Sequence, residues 1–219
     1  MNLPRHQHRK AANRVTRRRM NLPVKKKVLI VGEGRETEYN YFERLKREDS
    51  INQRFVVVVR RGKGFSAEVS VDHAINIMKE ARGKSDPFDG AFCVIDVEGS
   101  NARATDIQNA KKKAQSMGIR LFFSNPSFEV WLLAHFCRTC RTFKDCDAVV
   151  AELSKHGPWA AGRPYDKSER DLYDALSPHT DTAIQNARLV REKDQHNGPV
   201  EQCNSSTEVD LLVTYLLGR

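Results

Sequence analysis

Apolar residues fall along this chain in two rhythms. Short unbroken runs rich in branched residues occur at Val28–Val31, Phe55–Val59, Gly90–Ile95 and Ile119–Phe123. Each reads as a strand buried on both faces. Between them, apolar residues recur every three or four positions, the spacing of an amphipathic helix. Tyr41, Phe42 and Leu45 follow the first run. Val71, Ala74, Ile75, Met78 and Ala81 follow the second, with Ser66 placed to cap that helix. Ile107, Ala110, Ala114 and Met117 follow the third, with Thr105 and Gln108 spaced as a capping box and Gly118 as the C′ glycine. After the fourth, Asn125 is placed to cap a helix with Pro126 at its first position. Its body, Phe128–Phe136, is apolar almost all round apart from Glu129, which predicts burial.

Four strand–helix units in succession predict an α/β fold: a parallel sheet of about four strands, joined by right-handed crossovers, with helices on both faces. Residues 137–204 are less regular. Helical spacing is clearest over 148–155 and 183–190, among polar loops rich in Pro, Gly and His. Val209, Leu212, Val213 and Leu216 form the seam of a closing helix over 205–217, with Ser205 and Glu208 as a capping box. The expected organisation is a basic arm over 1–24, an α/β core over 25–136 and a helical C-terminal extension over 137–219 that packs on the core.

Charge changes the picture at the N-terminus. Of the 37 Lys and Arg residues, ten lie in residues 1–27, which contain no acid. The remainder carries 27 basic residues against 28 acidic ones, so the net +9 belongs to the arm. With few apolar residues and no steady period, the arm should be disordered by itself. Arg14, Arg17, Arg18 and Arg19 suit phosphate, since guanidinium pairs it bidentately, and the partner expected is nucleic acid. A solubilising tail or a patch for an acidic protein remains open. No apolar run approaches membrane-spanning length and no secretory signal opens the chain, which predicts a soluble protein without a membrane partner. Five cysteines, an odd number, fit reduced thiols in a cytoplasmic setting.

The candidate chemistry sits where two strands end. Val28–Val31 runs through Gly32 into Glu33, and Gly90–Ile95 runs into Asp96 and Glu98, which share a side-chain direction. Open α/β sheets place their sites at that edge. If the two strands are neighbours, three carboxylates converge and repel one another unless a hard cation such as Mg2+ or Mn2+ neutralises them. Acids after strands also serve as ordinary turn residues and caps. Gly32-Glu33-Gly34 lacks the third glycine of a dinucleotide fingerprint and the Lys-Ser/Thr of a P-loop. The loop Arg60-Arg61-Gly62-Lys63-Gly64 reads equally as a phosphate contact or a solvated turn. His135, Cys137, Cys140 and Cys146 include only half of a zinc ribbon, so ordinary thiols are the better reading. No histidine is paired with a nucleophile in the manner of a hydrolytic triad.

Three longer motifs carry a resemblance. Gly32-Glu33-Gly34-Arg35-Glu36-Thr37-Glu38-Tyr39-Asn40-Tyr41-Phe42 resembles the opening motif of the RloB-like family, Ile95-Asp96-Val97-Glu98 its second, and Ser124-Asn125-Pro126-Ser127-Phe128-Glu129-Val130-Trp131-Leu132-Leu133-Ala134-His135-Phe136 its third. Tyr165-x-Lys167 and Asn204-Ser205-Ser206-Thr207-Glu208-Val209 are similar to later elements, so the resemblance covers roughly residues 25–219. It implies a TOPRIM-like (Rossmannoid) fold, with a Glu after the first strand and an Asp-x-Asp after the third around divalent metal. Glu33 takes the first role, and Asp96 and Glu98 the second, here as Asp-x-Glu. It also implies an association with anti-phage or restriction loci, an ATPase partner, and metal-dependent cleavage of DNA or RNA.

On that reading Glu33, Asp96 and Glu98 are the catalytic and metal-binding acids. Glu129, which shares the sheet edge, is an additional ligand or supporting carboxylate. Lys167 is the first candidate for a cation near the scissile phosphate, with Arg35 and Lys63 as further nucleic-acid contacts. Glu33 is instead the general base if one ion binds. The rivals are a non-catalytic nucleic-acid-binding or regulatory subunit, favoured by the Asp-x-Glu departure, and a primase-like nucleotidyltransferase. A homo-oligomer is compatible with all three.

Overall fold

In the computed structural model, residues 24–64, 66–98, 101–139, 141–194 and 198–219 are described, with the side chains of 101, 102 and 194 left aside. The arm with Arg14, Arg17, Arg18 and Arg19 therefore lies outside the described residues.

The four apolar runs form β1 (Lys26–Gly32), β2 (Phe55–Arg60), β3 (Gly90–Asp96) and β4 (Ile119–Ser124). All pair in parallel, in the order β2-β1-β3-β4. The chain first winds outward from β1 to β2, then returns across β1 to β3 and on to β4. The reversal lies between the carboxyl ends of β1 and β3, where Val31 pairs with Cys93 and Gly32 with Val94. Alternation along these strands feeds two cores. Leu29, Val31, Ala91, Cys93 and Ile95 face α3 (Ala67–Gly83) and α4 (Asn101–Met117). Val28, Ile30, Phe92 and Val94 face the other way, towards α1 (Thr37–Leu45), α5 (Glu129–Ala134) and the C-terminal helices.

Those C-terminal elements are α6 (Cys146–Leu153), α7 (Leu172–Leu176), α8 (Thr180–Asp194) and α9 (Val209–Leu217), and short α2 (Asp49–Asn52) lies between α1 and β2. Val149, Leu153, Leu172, Ala183, Leu212 and Leu216 share one continuous apolar cluster with β1 and β3. The whole seam predicted for α9 is buried.

Several local expectations are corrected. β2 is an edge strand rather than a fully buried one, and Val56 is 48% exposed. Met117 at the end of α4 is 38% exposed and lies outside that helix's buried face. Thr105 and Gln108 lie inside α4, which starts four residues before Thr105. Helix α5 starts at Glu129, not after Asn125. The reason is that Pro126 O accepts the N–H groups of both Val97 and Glu98, so this stretch closes the end of β3. Asn125 spends its side-chain amide on Val200 O. Glu208 stands next to α9, but its carboxylate accepts from Phe123 N–H at 3.0 Å, and Thr207 bridges Ser124 in antiparallel fashion. The Asn204–Glu208 stretch is thus a staple on the outer edge of β4 rather than a capping box. Ser66 does cap α3, accepting from Val69 N–H, and Gly118 takes the left-handed conformation after α4 with φ +67.

Candidate functional site

The carboxyl ends of β1 and β3 open on a cleft of roughly 560 Å³ lined by Glu33, Glu38, Asp96, Glu98, Glu129 and Lys167, among others. It sits at the reversal of strand order, where the diverging crossovers leave a crevice.

Backbone geometry explains the glycines of the first motif. A Cβ at Gly32 would stand 3.0 Å from Glu38 Cβ, and one at Gly34 would stand 2.5 Å from Glu38 Oε2. The two glycines clear the space through which Glu38, in the first turn of α1, folds back over the strand end. There its Oε1 accepts from Gly34 N–H at 2.8 Å. The third glycine is Gly62, beyond β2: its N–H donates to Gly34 O, and a Cβ would lie 1.7 Å from Glu33 O. The basic loop after β2 is thereby clamped on the loop after β1. Arg61 stacks on Tyr39 at 4.1 Å, while Lys63 is exposed and does not line the cleft. Arg35 is exposed at its rim.

Glu33 and Asp96 are brought together as the strand ends require: Asp96 N–H donates to Glu33 Oε2 at 3.3 Å. Glu33 is buried, and its carboxylate is held by Arg103, whose Nη2 lies 2.7 and 2.5 Å from the two oxygens. Burial nonetheless pushes Glu33 up to about 7, outweighing the Arg103 charge that pulls it down. Arg103 also donates to the Asp96 carbonyl and, through Nη1, to Asp106 at 2.7 Å. Asp106 in turn accepts from Ser66 Oγ and from the N–H groups of Ala67 and Glu68 at the start of α3. Those donors hold it below the usual carboxylate range despite its partial burial.

Asp96 has less relief, from the Phe128 N–H. Its Oδ1 is shut off from solvent and has no hydrogen-bond partner among the described residues. Burial, then the charges of Glu38, Glu129 and Glu33, push its proton affinity well above the usual range. Glu38 is raised by burial and by the charge of Glu129. Glu129 is 2% exposed. It is met by Lys167 Nζ at 3.6 Å, by Cys146 Sγ at 3.3 Å and by Tyr165 OH at 3.4 Å. The Tyr165-x-Lys167 pair therefore converges on one carboxylate. The loop carrying it is pinned to α1, where Thr37 and Asn40 donate to the carbonyls of Lys167 and Ser168. Partial burial opposes the charge of Lys167, but Glu129 and Cys146 together raise its proton affinity. Cys146, also on the cleft, is a thiol pushed up to about 12 by burial and the Glu129 charge. Glu98 is exposed and accepts the Cys146 N–H at 3.0 Å, at the start of α6.

Of the residues singled out from the sequence, Glu33, Arg35, Asp96, Glu98, Glu129 and Lys167 line one cleft and Lys63 stands apart. Glu38 and Arg103 are not marked as site residues by the sequence pattern. Glu38 reads as an ordinary acid in a first helical turn. Its one signal is that it follows, by four and six residues, two glycines that a solvated acid would not need. Arg103 stands in the first turn of α4, where nothing in the spacing separates it from a surface charge. His135 spends Nδ1 on Trp131 O, and burial holds it down to about 4. Cys140 lies outside the described residues.

The described side chains form no ready-made group of three or more His, Cys, Asp or Glu able to hold a metal ion. The donor chemistry nevertheless suits one. Asp96 Oδ1 is an orphaned buried oxygen, the charges of Glu38 and Glu129 raise the proton affinity of Asp96, and that of Glu129 raises Glu38, the signature of missing positive charge. Glu33 already has its cation in Arg103.

None of the described helices is long and apolar enough to cross a membrane. A family model described as RloB-like protein matches residues 28–216. No curated protein matches the chain. No solved structure matches it.

Proposed function

The chain belongs to the RloB-like family, and from that premise we propose that it is a TOPRIM-like, metal-dependent nuclease hydrolysing phosphodiester bonds of DNA or RNA in bacterial anti-phage defence. The proposal includes a cytoplasmic setting and control by an ATPase partner. The observation that carries the chemistry is the orphaned Asp96 Oδ1, buried beside Glu38 and Glu129 in a cleft that also presents Lys167.

Asp96, with Glu38 and Glu129, would hold Mg2+ or Mn2+, and Glu98, two residues past the end of β3, lines the same cleft. When bound, the ion supplies Lewis-acid polarisation of a phosphoryl oxygen and lowers the pKa of water. The remaining work falls to the chain. Lys167, half-exposed beside Glu129, offers its ammonium to a non-bridging phosphate oxygen as charge builds there. Glu33 has a proton affinity near neutrality, the value a general base needs at working pH. It takes one proton from the attacking water as the new P–O bond forms and the bond to the leaving oxygen breaks. Arg35 on the rim and the arm residues Arg14, Arg17, Arg18 and Arg19 neutralise flanking phosphates.

The test is nicking of supercoiled plasmid, linear DNA and RNA with Mg2+ or Mn2+, with and without the ATPase partner. Wild type should cleave, and Asp96→Ala and Glu33→Ala should lose at least 100-fold. Cleavage indifferent to both substitutions would sink the assignment. A second reading is a non-catalytic nucleic-acid-binding subunit, favoured by one observation: Glu33 is already neutralised by Arg103. Tight binding of nucleic acid, with neither cleavage nor saturable binding of Mn2+, would establish it instead.

A further inference from the structure

Arg103 is 9% exposed and joins the two strand ends of the cleft to Asp106, the residue that holds the start of α3. One nitrogen, Nη2, spans both Glu33 oxygens and the Asp96 carbonyl, and the other, Nη1, is fixed by Asp106. Asp106 is itself fixed by the first N–H groups of α3. A guanidinium fork is the side chain suited to such a fixed multi-point contact. It meets Glu33 from the side of α4, whereas Asp96, Glu38 and Glu129 line the cleft together, where the charges of Glu38 and Glu129 bear on Asp96.

The geometry points to Arg103 as a resident substitute for one metal ion. It supplies Glu33 with the positive charge that a second ion would bring, so the cleft takes a single divalent cation, held by the Asp96, Glu38 and Glu129 carboxylates. This rests on the proposed metal-dependent reading and deepens it. Arg103 acts through Glu33 and the Asp96 backbone, so it is a positioning residue. The same contact keeps Glu33 available for a proton rather than for coordination, in keeping with the general-base role.

Counting bound Mn2+ on the full-length protein, by the loss of the free-ion paramagnetic signal, tests the inference without any turnover. Wild type should bind one ion. Arg103→Met should expose Glu33, adding a second ion or tightening binding at least tenfold. The double variant Arg103→Met, Glu33→Gln should return to wild-type stoichiometry, a Glu33 dependence that mere loosening of the fold would not produce. If Arg103→Met does not fold, Arg103→Lys serves, because a lysine keeps the charge but has no second nitrogen to reach Asp106 while it meets Glu33. It should give a smaller gain of the same sign. Two ions on wild type, or an Arg103 variant with unchanged number and affinity, overturns the inference. Should wild type bind no ion, the metal-dependent reading fails by itself. The Arg103 inference is then decided by the variant alone: a Glu33-dependent Mn2+ site upholds it, and none overturns it.

Discussion

Glu33 is the residue in which burial and pairing oppose each other most directly. Its folded-state value near 7 lies above the ordinary 4.5, so between those values the folded chain holds a proton that the unfolded chain releases. The stability that Glu33 contributes is therefore complete below pH 4.5 and lost as pH rises through 7. At about 1.4 kcal/mol per unit, the change across that window is on the order of 3 kcal/mol. Urea unfolding of wild type and Glu33→Gln between pH 4.5 and 8 checks this. Wild type should lose about that much more stability than the variant as pH rises, and parallel profiles would remove Glu33 as the source. Asp96 and Glu38 are also raised, so only the difference between the two proteins isolates Glu33. That Glu33 and Asp96 would meet is legible in the sequence, because each follows directly on a buried run. That Glu33 would be met by Arg103 is not, since an ion pair 70 residues apart depends on how α4 returns over the sheet.

At the scale of elements, strands and helix seams are readable because burial sets their period, and both cores contain most of the residues that the period selects, Val56 and Met117 being exceptions. Helix starts are less so. The Thr105–Gln108 and Ser205–Glu208 spacings match a capping box, yet the backbone donors available to Glu208 lie on β4, which local spacing does not encode. Asn125-Pro126 fails in the same way: the Pro126 carbonyl is claimed by the N–H groups that follow β3 before a helix can use it. The loop after β2 shows which glycine matters. Gly62→Ala forces a methyl into the Glu33 carbonyl at 1.7 Å and should cost more than about 3 kcal/mol, the range of severe overpacking. Gly64→Ala, two residues on, meets nothing within 4 Å and should stay within about 0.5 kcal/mol. Thermal melts of the two variants provide the comparison, and equal melting temperatures would disprove the clamp between the loops.

For the whole molecule, two properties read from the sequence belong to different parts of the chain. The acids gather at the reversal between β1 and β3, while the excess positive charge belongs to the first 27 residues. A cleft crowded with carboxylates repels a polyanion, so a phosphodiester substrate needs attraction from elsewhere, and the arm is the strongest source the chain possesses. Residues 1–23 carry seven Lys and Arg. If all seven neutralise phosphates of duplex DNA, they add about 6 to the steepness with which the logarithm of affinity falls against the logarithm of salt concentration. A chain beginning at Val24 should therefore bind DNA more weakly at low salt, with a salt slope shallower by up to that amount. Its melting temperature should not change, because both apolar cores are assembled from residues after 27. Fluorescence anisotropy of labelled duplex from 50 to 300 mM salt measures the slope directly. An unchanged slope would place the phosphate contacts on the folded body instead, with Arg35 at the cleft rim and Lys63 on the clamped loop as the residues to replace next.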